Sequence, residues 1–154
     1  MIRKEPLLDK RVGYTSIIIL AIFFFPLTFV HEFGHALVCV ASGYSYEMEL
    51  SIIKAQVTCD ETPSNLMLYW AAGGLFATLI ALSPLIAWQW AKINRGVLIG
   101  SFTIATGHAV NAVIETFAHF WYVTNIPLAS IVVALSAILA YSISLTIFGK
   151  RKAK

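Results

Sequence analysis

Charged residues are scarce in this sequence, and their scarcity excludes an ordinary soluble domain. Asp, Glu, Lys and Arg make up 12 % of the 154 residues, whereas a soluble globular domain carries about 25 %. Hydrophobic residues make up 58 %. Because one membrane span needs about 20 apolar residues, the length predicts a single membrane-embedded domain of about four spans, residues 1–154, with no room for a separate soluble domain.

Cysteine is also scarce, since the chain holds only Cys39 and Cys59. Two cysteines are too few for a disulfide framework, and their spacing does not match a metal-binding knuckle. Cys39 follows His35 by four residues and could approach a metal there, although such a cysteine is more often a small buried hydrophobic residue. The net charge of +3 is small and argues against a nucleic-acid partner.

Long apolar runs separated by turn residues predict an all-α membrane protein with four transmembrane helices, at residues 13–42, 65–91, 97–123 and 128–148. Gly43 is expected to end the first helix, because glycine is favoured just past a helix C-terminus. Residues 46–52 alternate apolar and polar side chains, which is typical of a half-buried strand. Residues 55–58 can return as a second strand, so a small membrane-associated β-hairpin is predicted between the first two spans.

The distribution of positive charge predicts how the chain crosses the bilayer. Ten of the eleven Lys and Arg residues lie in the N-terminal segment, the turn between the second and third spans, and the C-terminal tail. These three segments share one side of a four-span protein, and Lys54 alone lies on the other. The positive-inside rule then predicts a multi-pass protein of the cell membrane with both termini in the cytoplasm.

The pentad His31-Glu32-Phe33-Gly34-His35 lies within the first apolar run. Residues four apart share one face of a helix, so both imidazoles can point at one metal ion. Zinc lowers the pKa of a bound water to about 7, and Glu32 can take its proton. Ionisable groups inside spans are costly and are usually functional. The pentad therefore predicts a Zn²⁺ site with Glu32 as the catalytic residue.

Two segments carry a family resemblance. Residues 31–37 resemble the active-site helix of the site-2 protease family of intramembrane zinc metalloproteases, and residues 71–81 resemble the next conserved helix of that family. The match covers roughly residues 29–81 and describes a divergent, minimal member without a PDZ domain. It implies a metalloendopeptidase that hydrolyses peptide bonds in or near the transmembrane segments of membrane-protein substrates.

The chain departs from the pattern of that family at three points. Gly74 stands where the family has proline, and Thr78 stands where it has asparagine. The third zinc ligand of the family is an aspartate in an Asn-Pro-Leu-Asp-Gly type segment, which this chain lacks. A third ligand must therefore come from another part of the chain.

A polar stripe on the third predicted span offers candidates for that ligand: His108, Asn111, Glu115 and His119. Counted at about 1.5 Å per residue from the helix ends, Glu115 and His119 are level with the pentad, and His108 lies about 10 Å lower. Glu115 is the first candidate on depth and ligand chemistry, with His119 and His108 as alternatives. His119 could instead orient a ligand histidine, and interhelical hydrogen bonding is the competing explanation of the whole stripe.

Six residues are predicted to contact the substrate: Asn111, Tyr46, Met48, Leu50, Gly73 and Gly74. The asparagine can hold the scissile carbonyl, and the strand residues can pair with an extended substrate segment. The two glycines can open a path for substrate or let helices pack closely.

Other functions remain open from the sequence. The same zinc chemistry could hydrolyse a lipid or a small amide, and a non-enzyme could bind or transport zinc through the same polar stripe. An inactive relative could instead act as a chaperone for membrane partners. With both termini inside, the pentad lies about 27 Å above the cytoplasmic end of its helix, which predicts a metal near the outer leaflet.

Overall fold

The described part of the chain forms four long helices, one short helix and a β-hairpin. The structure is a computed structural model that describes residues 9–51, 55–91 and 93–149. In chain order the elements are α1 (Lys10–Ala41), β1 (Tyr46–Leu50), β2 (Ala55–Cys59), α2 (Leu66–Ala91), α3 (Arg95–Phe117), α4 (His119–Thr124) and α5 (Ile126–Phe148). Helices α1, α2, α3 and α5 are long and apolar enough to cross a membrane. The predicted all-α membrane fold with a small hairpin is therefore confirmed.

The third predicted span differs from the structure at its outer end. Residues 97–123 were expected to form one helix, but α3 stops before Ala118, which adopts φ −128° and ψ 33°. No proline or glycine marks this break, so the local sequence carries no signal for it. We attribute it to tertiary contacts, because the short helix α4 carries Tyr122, whose side chain hydrogen-bonds with Glu115 of α3.

Gly43 ends α1 as the sequence predicts. Its φ of 83° lies in the left-handed region that glycine adopts without a steric penalty. The N–H of Gly43 donates to the carbonyl of Val40, and the N–H of Tyr44 donates to the carbonyl of Cys39, both at 3.0 Å. This is the Schellman pattern, which satisfies carbonyl groups at a helix end and turns the chain into the hairpin.

The hairpin is fastened to the end of α1. Strands β1 and β2 pair antiparallel with Met48 opposite Val57, and Val57 packs against Ala36 of α1. Cys39 and Cys59 form a disulfide with a Cα–Cα distance of 5.5 Å. Sequence reasoning missed this bond, because a separation of 20 residues says nothing about proximity until the hairpin returns the chain to α1.

The two ends of the described chain meet at the opposite end of the bundle from the hairpin. The N–H of Asp9 donates to the carbonyl of Gly149 at 2.9 Å, and the hydroxyls of Ser16 and Tyr141 lie 3.1 Å apart. The start of α1 and the end of α5 are therefore on one side of the bundle. Most basic residues behind the topology prediction lie outside the described residues, at positions 1–8, 92 and 150–154.

Large apolar side chains cover the outside of the bundle. Phe24, Ile86 and Phe120 each expose more than two thirds of their surface, at 72 %, 75 % and 82 %. Soluble monomers rarely expose contiguous apolar surface of this kind. The outer surface is therefore suited to hydrocarbon, as expected for a multi-pass membrane protein.

Removing the disulfide should destabilise the protein. In the chain-entropy model, closing a loop of 20 residues stabilises the fold by about 3 kcal/mol. We expect the double variant Cys39→Ser/Cys59→Ser to unfold at a lower temperature in detergent than the wild type, and reductant to lower the wild-type transition similarly. Maleimide labelling of both cysteines in denatured protein that had never been reduced would contradict the disulfide.

Candidate metal centre

The pentad lies on the buried face of α1. His31, Glu32 and His35 are all at least 92 % buried, with 6–8 % of their surface exposed. The two imidazole rings have centroids 5.0 Å apart, and their Nε2 atoms are 3.3 Å apart. The four-residue spacing therefore does bring both rings to one point inside the bundle, as the helical period requires.

Glu115 of α3 completes the group. Its Oε2 atom lies 3.5 Å from Nε2 of His31 and 4.0 Å from Nε2 of His35, and Glu115 itself is buried. The candidate ligand atoms of the three residues all lie within 4.8 Å of one another, so the group could hold a metal ion. The structure thus brings together the three residues that the sequence analysis put first as ligands.

The hydrogen bonds around this group fit a cation at its centre. Nδ1 of His35 lies 2.7 Å from the carbonyl oxygen of Tyr69, and since a carbonyl only accepts, Nδ1 carries the proton. In the neutral ring, Nε2 then presents a lone pair towards His31. Oε2 of Glu115 has no hydrogen-bond partner among the described residues. Three electron-pair donors therefore face a common point, which a metal ion would satisfy.

Two glycines let the helices come close enough to build this group. A Cβ on Gly34 of α1 would lie 2.6 Å from the carbonyl oxygen of Ala72 in α2. A Cβ on Gly73 would overlap the ring of His35 and approach Cδ2 of His31 to 2.8 Å. The missing side chain of Gly73 therefore leaves the space that the rings of both histidines occupy.

Gly74, the neighbouring predicted residue, has a different place. It faces α3, where an added Cβ would come within 2.6 Å of the carbonyl oxygen of His108 and of Cβ of Ala112. It contributes to the close approach of α2 and α3. Of the two predicted glycines, Gly73 therefore faces the rings of His31 and His35, and Gly74 faces α3.

The alternative ligands lie outside the group. The ring centroid of His108 is 5.6 Å from that of His31, closer than the depth count predicts, but His108 is not among the three residues whose ligand atoms converge. His119 stacks on Trp70 with ring centroids 4.0 Å apart, and its buried Nδ1 has no hydrogen-bond partner among the described residues. Cys39 is held in the disulfide and so is not a thiolate ligand.

Strand β2, which the sequence analysis did not connect with the site, lies directly over Glu32. The backbone of Val57 hydrogen-bonds to the Glu32 carboxylate, which can only accept, so the N–H of Val57 is the donor. The carbonyl of Val57 accepts from the hydroxyl of Tyr69 at 2.7 Å. A backbone donor cannot be identified from side-chain chemistry, so no sequence signal could have indicated it.

The three predicted strand residues lie on the other strand. Tyr46, Met48 and Leu50 belong to β1, and Met48 is opposite Val57 in the hairpin register. They are therefore one strand away from the carboxylate of Glu32. Their predicted contact with an extended substrate stays a prediction.

Tyr122 is a further residue that sequence reasoning missed. It belongs to α4, outside the four spans, and its hydroxyl hydrogen-bonds with Glu115 and with Asn111. Burial raises the pKa of Tyr122 above its usual range, and the charge of Glu115 acts in the same direction. The hydroxyl therefore stays protonated and can donate to the carboxylate, which links the predicted substrate residue Asn111 to a candidate ligand.

A cavity of about 530 Å³ opens beside the candidate centre, between α1, α3 and α5. At one end it is lined by polar side chains, among them His31, Glu32, His108, Asn111 and Tyr122. Glu32 therefore has access to a space that can hold a substrate and water. This volume is within the range of about 300–1,000 Å³ that is usual for small-molecule sites.

Comparison with protein-family models, curated proteins and solved structures finds no match for this chain. The resemblance to the site-2 protease family therefore stays a prediction from the two sequence segments.

Adding a methyl group at Gly73 should disturb metal binding. Because the new Cβ would overlap His35 and crowd His31, we expect Gly73→Ala to weaken zinc binding by about 10–100-fold, the usual effect of losing a group that orients metal ligands. Competition with a chelator of known affinity measures the change.

Gly107→Ala is the matched control. Gly107 is also a buried glycine of a membrane-spanning helix, but an added Cβ would meet nothing closer than 3.7 Å. Its zinc affinity should equal that of the wild type. Equal zinc affinities for the wild type, Gly73→Ala and Gly107→Ala would contradict a metal site formed by His31 and His35 against Gly73.

Proposed function

We propose that this chain is a zinc-dependent hydrolase of the membrane, and that its substrate bond is a peptide bond in or near a transmembrane segment. The observation that carries the proposal is the buried convergence of His31, His35 and Glu115 beside a cavity that Glu32 also reaches. The peptide specificity rests on the resemblance of residues 31–37 and 71–81 to the site-2 protease family.

The donor set favours zinc among the metals. Two imidazoles and one carboxylate form a set of three protein ligands, which is typical of catalytic zinc sites that keep one position open. When bound, zinc supplies a Lewis acid that makes water nucleophilic near neutral pH. Structural zinc sites instead use four protein ligands.

Side chains of this protein would supply the proton transfer and the hydrogen bonds that amide hydrolysis needs. Glu32 accepts a proton from the attacking water and passes it to the leaving nitrogen as the C–N bond breaks. Asn111 and His108 line the same cavity and can donate hydrogen bonds to the carbonyl oxygen of the substrate. The N–H of Val57 and the hydroxyl of Tyr122 fix the carboxylates of Glu32 and Glu115.

Hydrolysis of a lipid or a small amide by the same groups is the second candidate function. The observation in its favour is the cavity, which is largely apolar beyond its polar end. A non-enzymatic zinc carrier would need the ligands but would have no use for the carboxylate of Glu32.

The disulfide supports a cell-membrane location with both termini in the cytoplasm. Disulfides form and persist in oxidising compartments and are rare in the cytosol. The bond between Cys39 and Cys59 lies at the hairpin end of the bundle, opposite the meeting point of Asp9 and Gly149. The same orientation follows from the positive-inside rule, so two independent observations agree.

Replacing Glu32 distinguishes an enzyme from a carrier. We expect Glu32→Gln to keep about one zinc per chain and to lose about 10²–10⁴-fold in turnover, the usual contribution of a general base. Metal analysis and cleavage of a model transmembrane substrate are the two measurements. Glu47→Gln, at an exposed position of β1, is the control and should behave as the wild type. Unchanged turnover in Glu32→Gln would contradict the enzyme.

Replacing the ligands tests the metal itself. His31→Ala and His35→Ala should each abolish stoichiometric zinc binding, because two protein ligands rarely hold a catalytic zinc. Glu115→Ala should weaken zinc binding as well. Full zinc content in either histidine variant would remove the basis of the proposed function.

Labelling of single introduced cysteines tests the orientation. The native cysteines are bonded to each other, so a membrane-impermeant maleimide applied to intact cells reports only on the introduced one. We expect Thr62→Cys to react from outside and Lys154→Cys to react only after the cells are opened. The reverse pattern would invert the proposed topology.

A further inference from the structure

The cavity beside the candidate metal centre continues away from it as a groove between helices. From the polar end it follows α1 down to Leu20, with α3 and α5 as its other walls. The lower walls are formed by apolar or small side chains, including Phe24, Ile104, Val133 and Ala137. Below it, α1 and α5 come together at the hydroxyls of Ser16 and Tyr141.

The groove matches one leaflet of a bilayer in length. Leu20 and His31 are eleven residues apart on α1, so the groove is about 16 Å long at 1.5 Å per residue. That length is close to half of the roughly 30 Å hydrocarbon core of a bilayer.

The hydrogen bonding of the walls excludes an extended peptide. The hydroxyls of α1, α3 and α5 that line the groove each donate to the carbonyl four residues earlier in their own helix, at 2.8–3.0 Å: Thr28, Thr103 and Ser130. The carbonyl groups of a peptide would thus meet no free donor along these walls. Unpaired peptide groups cost several kcal/mol each in hydrocarbon surroundings, whereas a hydrocarbon chain has no such groups.

We infer that this groove binds one fatty acyl chain of a membrane amphiphile, with the carbonyl-bearing head of that molecule among the polar side chains at the upper end. His31, His108 and Asn111 line that end and complement an oxygen-rich head. The placement of the head rests on the second candidate function, hydrolysis of a lipid by the same groups. The binding of the chain rests only on the apolar walls.

Photolabelling tests the groove directly. The probe is palmitic acid with a diazirine near its methyl end, added to the full chain in detergent. We expect saturable labelling of the deep wall, at peptides that contain Leu20, Ile104 or Ala137, which unlabelled palmitic acid competes away. Labelling spread over the outer surface without saturation would mean non-specific association with the apolar exterior, and would overturn the inference.

A pair of variants on α5 distinguishes the groove from the exterior. Ala134→Phe places a large ring in the groove, whose wall includes Ala134, and should reduce labelling at least about tenfold, since losing the burial of only two CH₂ groups already costs about that factor. Leu135→Phe is the control, because Leu135 faces outward with 60 % of its surface exposed and is not part of the cavity wall. Equal labelling of the two variants would contradict the groove.

Two further measurements separate this inference from the proposed function. His35→Ala removes a proposed zinc ligand that does not line the cavity, so deep-wall labelling should persist in it even though zinc is lost. Loss of labelling there would show that the apolar walls do not suffice, and would overturn the inference. An apolar peptide that displaces the probe as effectively as unlabelled palmitic acid would overturn it too, by making the groove a peptide site.

Discussion

Three electron-pair donors facing one point inside an apolar bundle form the constraint on which the rest of this structure depends. Nε2 of His35, Nε2 of His31 and Oε2 of Glu115 lie 3.3–4.0 Å apart, and the Tyr69 carbonyl fixes the proton of His35 on the far side of its ring. Polar groups left unsatisfied in such surroundings are costly. A positive charge at their meeting point, which a metal ion could supply, would offset that cost.

The helix packing follows from that meeting point. Gly34 and Gly73 let α1 and α2 touch through their backbones, so that the two histidine rings rest against a helix without side chains in the way. Gly74 lets α3 approach the other side of α2, which brings Glu115 opposite the histidines. Small residues at helix crossings are a general device for close approach in membranes, and here they determine where the candidate ligands stand.

Much of this arrangement is predictable from local rules, and the rest depends on how separate elements meet. Hydropathy predicts the four spans, and the alternation of apolar and polar residues predicts the strands of the hairpin. Helix-end chemistry predicts that Gly43 ends α1 in a left-handed conformation. Counting helical rise left Glu115 and His119 level with the pentad, and ligand chemistry then put Glu115 first. The break at Ala118, the donor at Val57 and the hydroxyl of Tyr122 were not predictable, because each arises from the angle between elements distant in sequence or from a backbone group without a side-chain signature.

The contact between Asp9 and Gly149 makes the spans nearly a closed ring. A short linker could join the two ends, and the ring could be reopened in the turn before α3, near Asn94, without moving any helix, since exposed turns tolerate new termini. Both new ends would stay on the original side of the membrane. If the chain were opened in the hairpin instead, its new N- and C-termini would lie on the opposite side of the membrane. Two circular permutants of the same chain would therefore carry a fused domain on opposite faces of the bilayer.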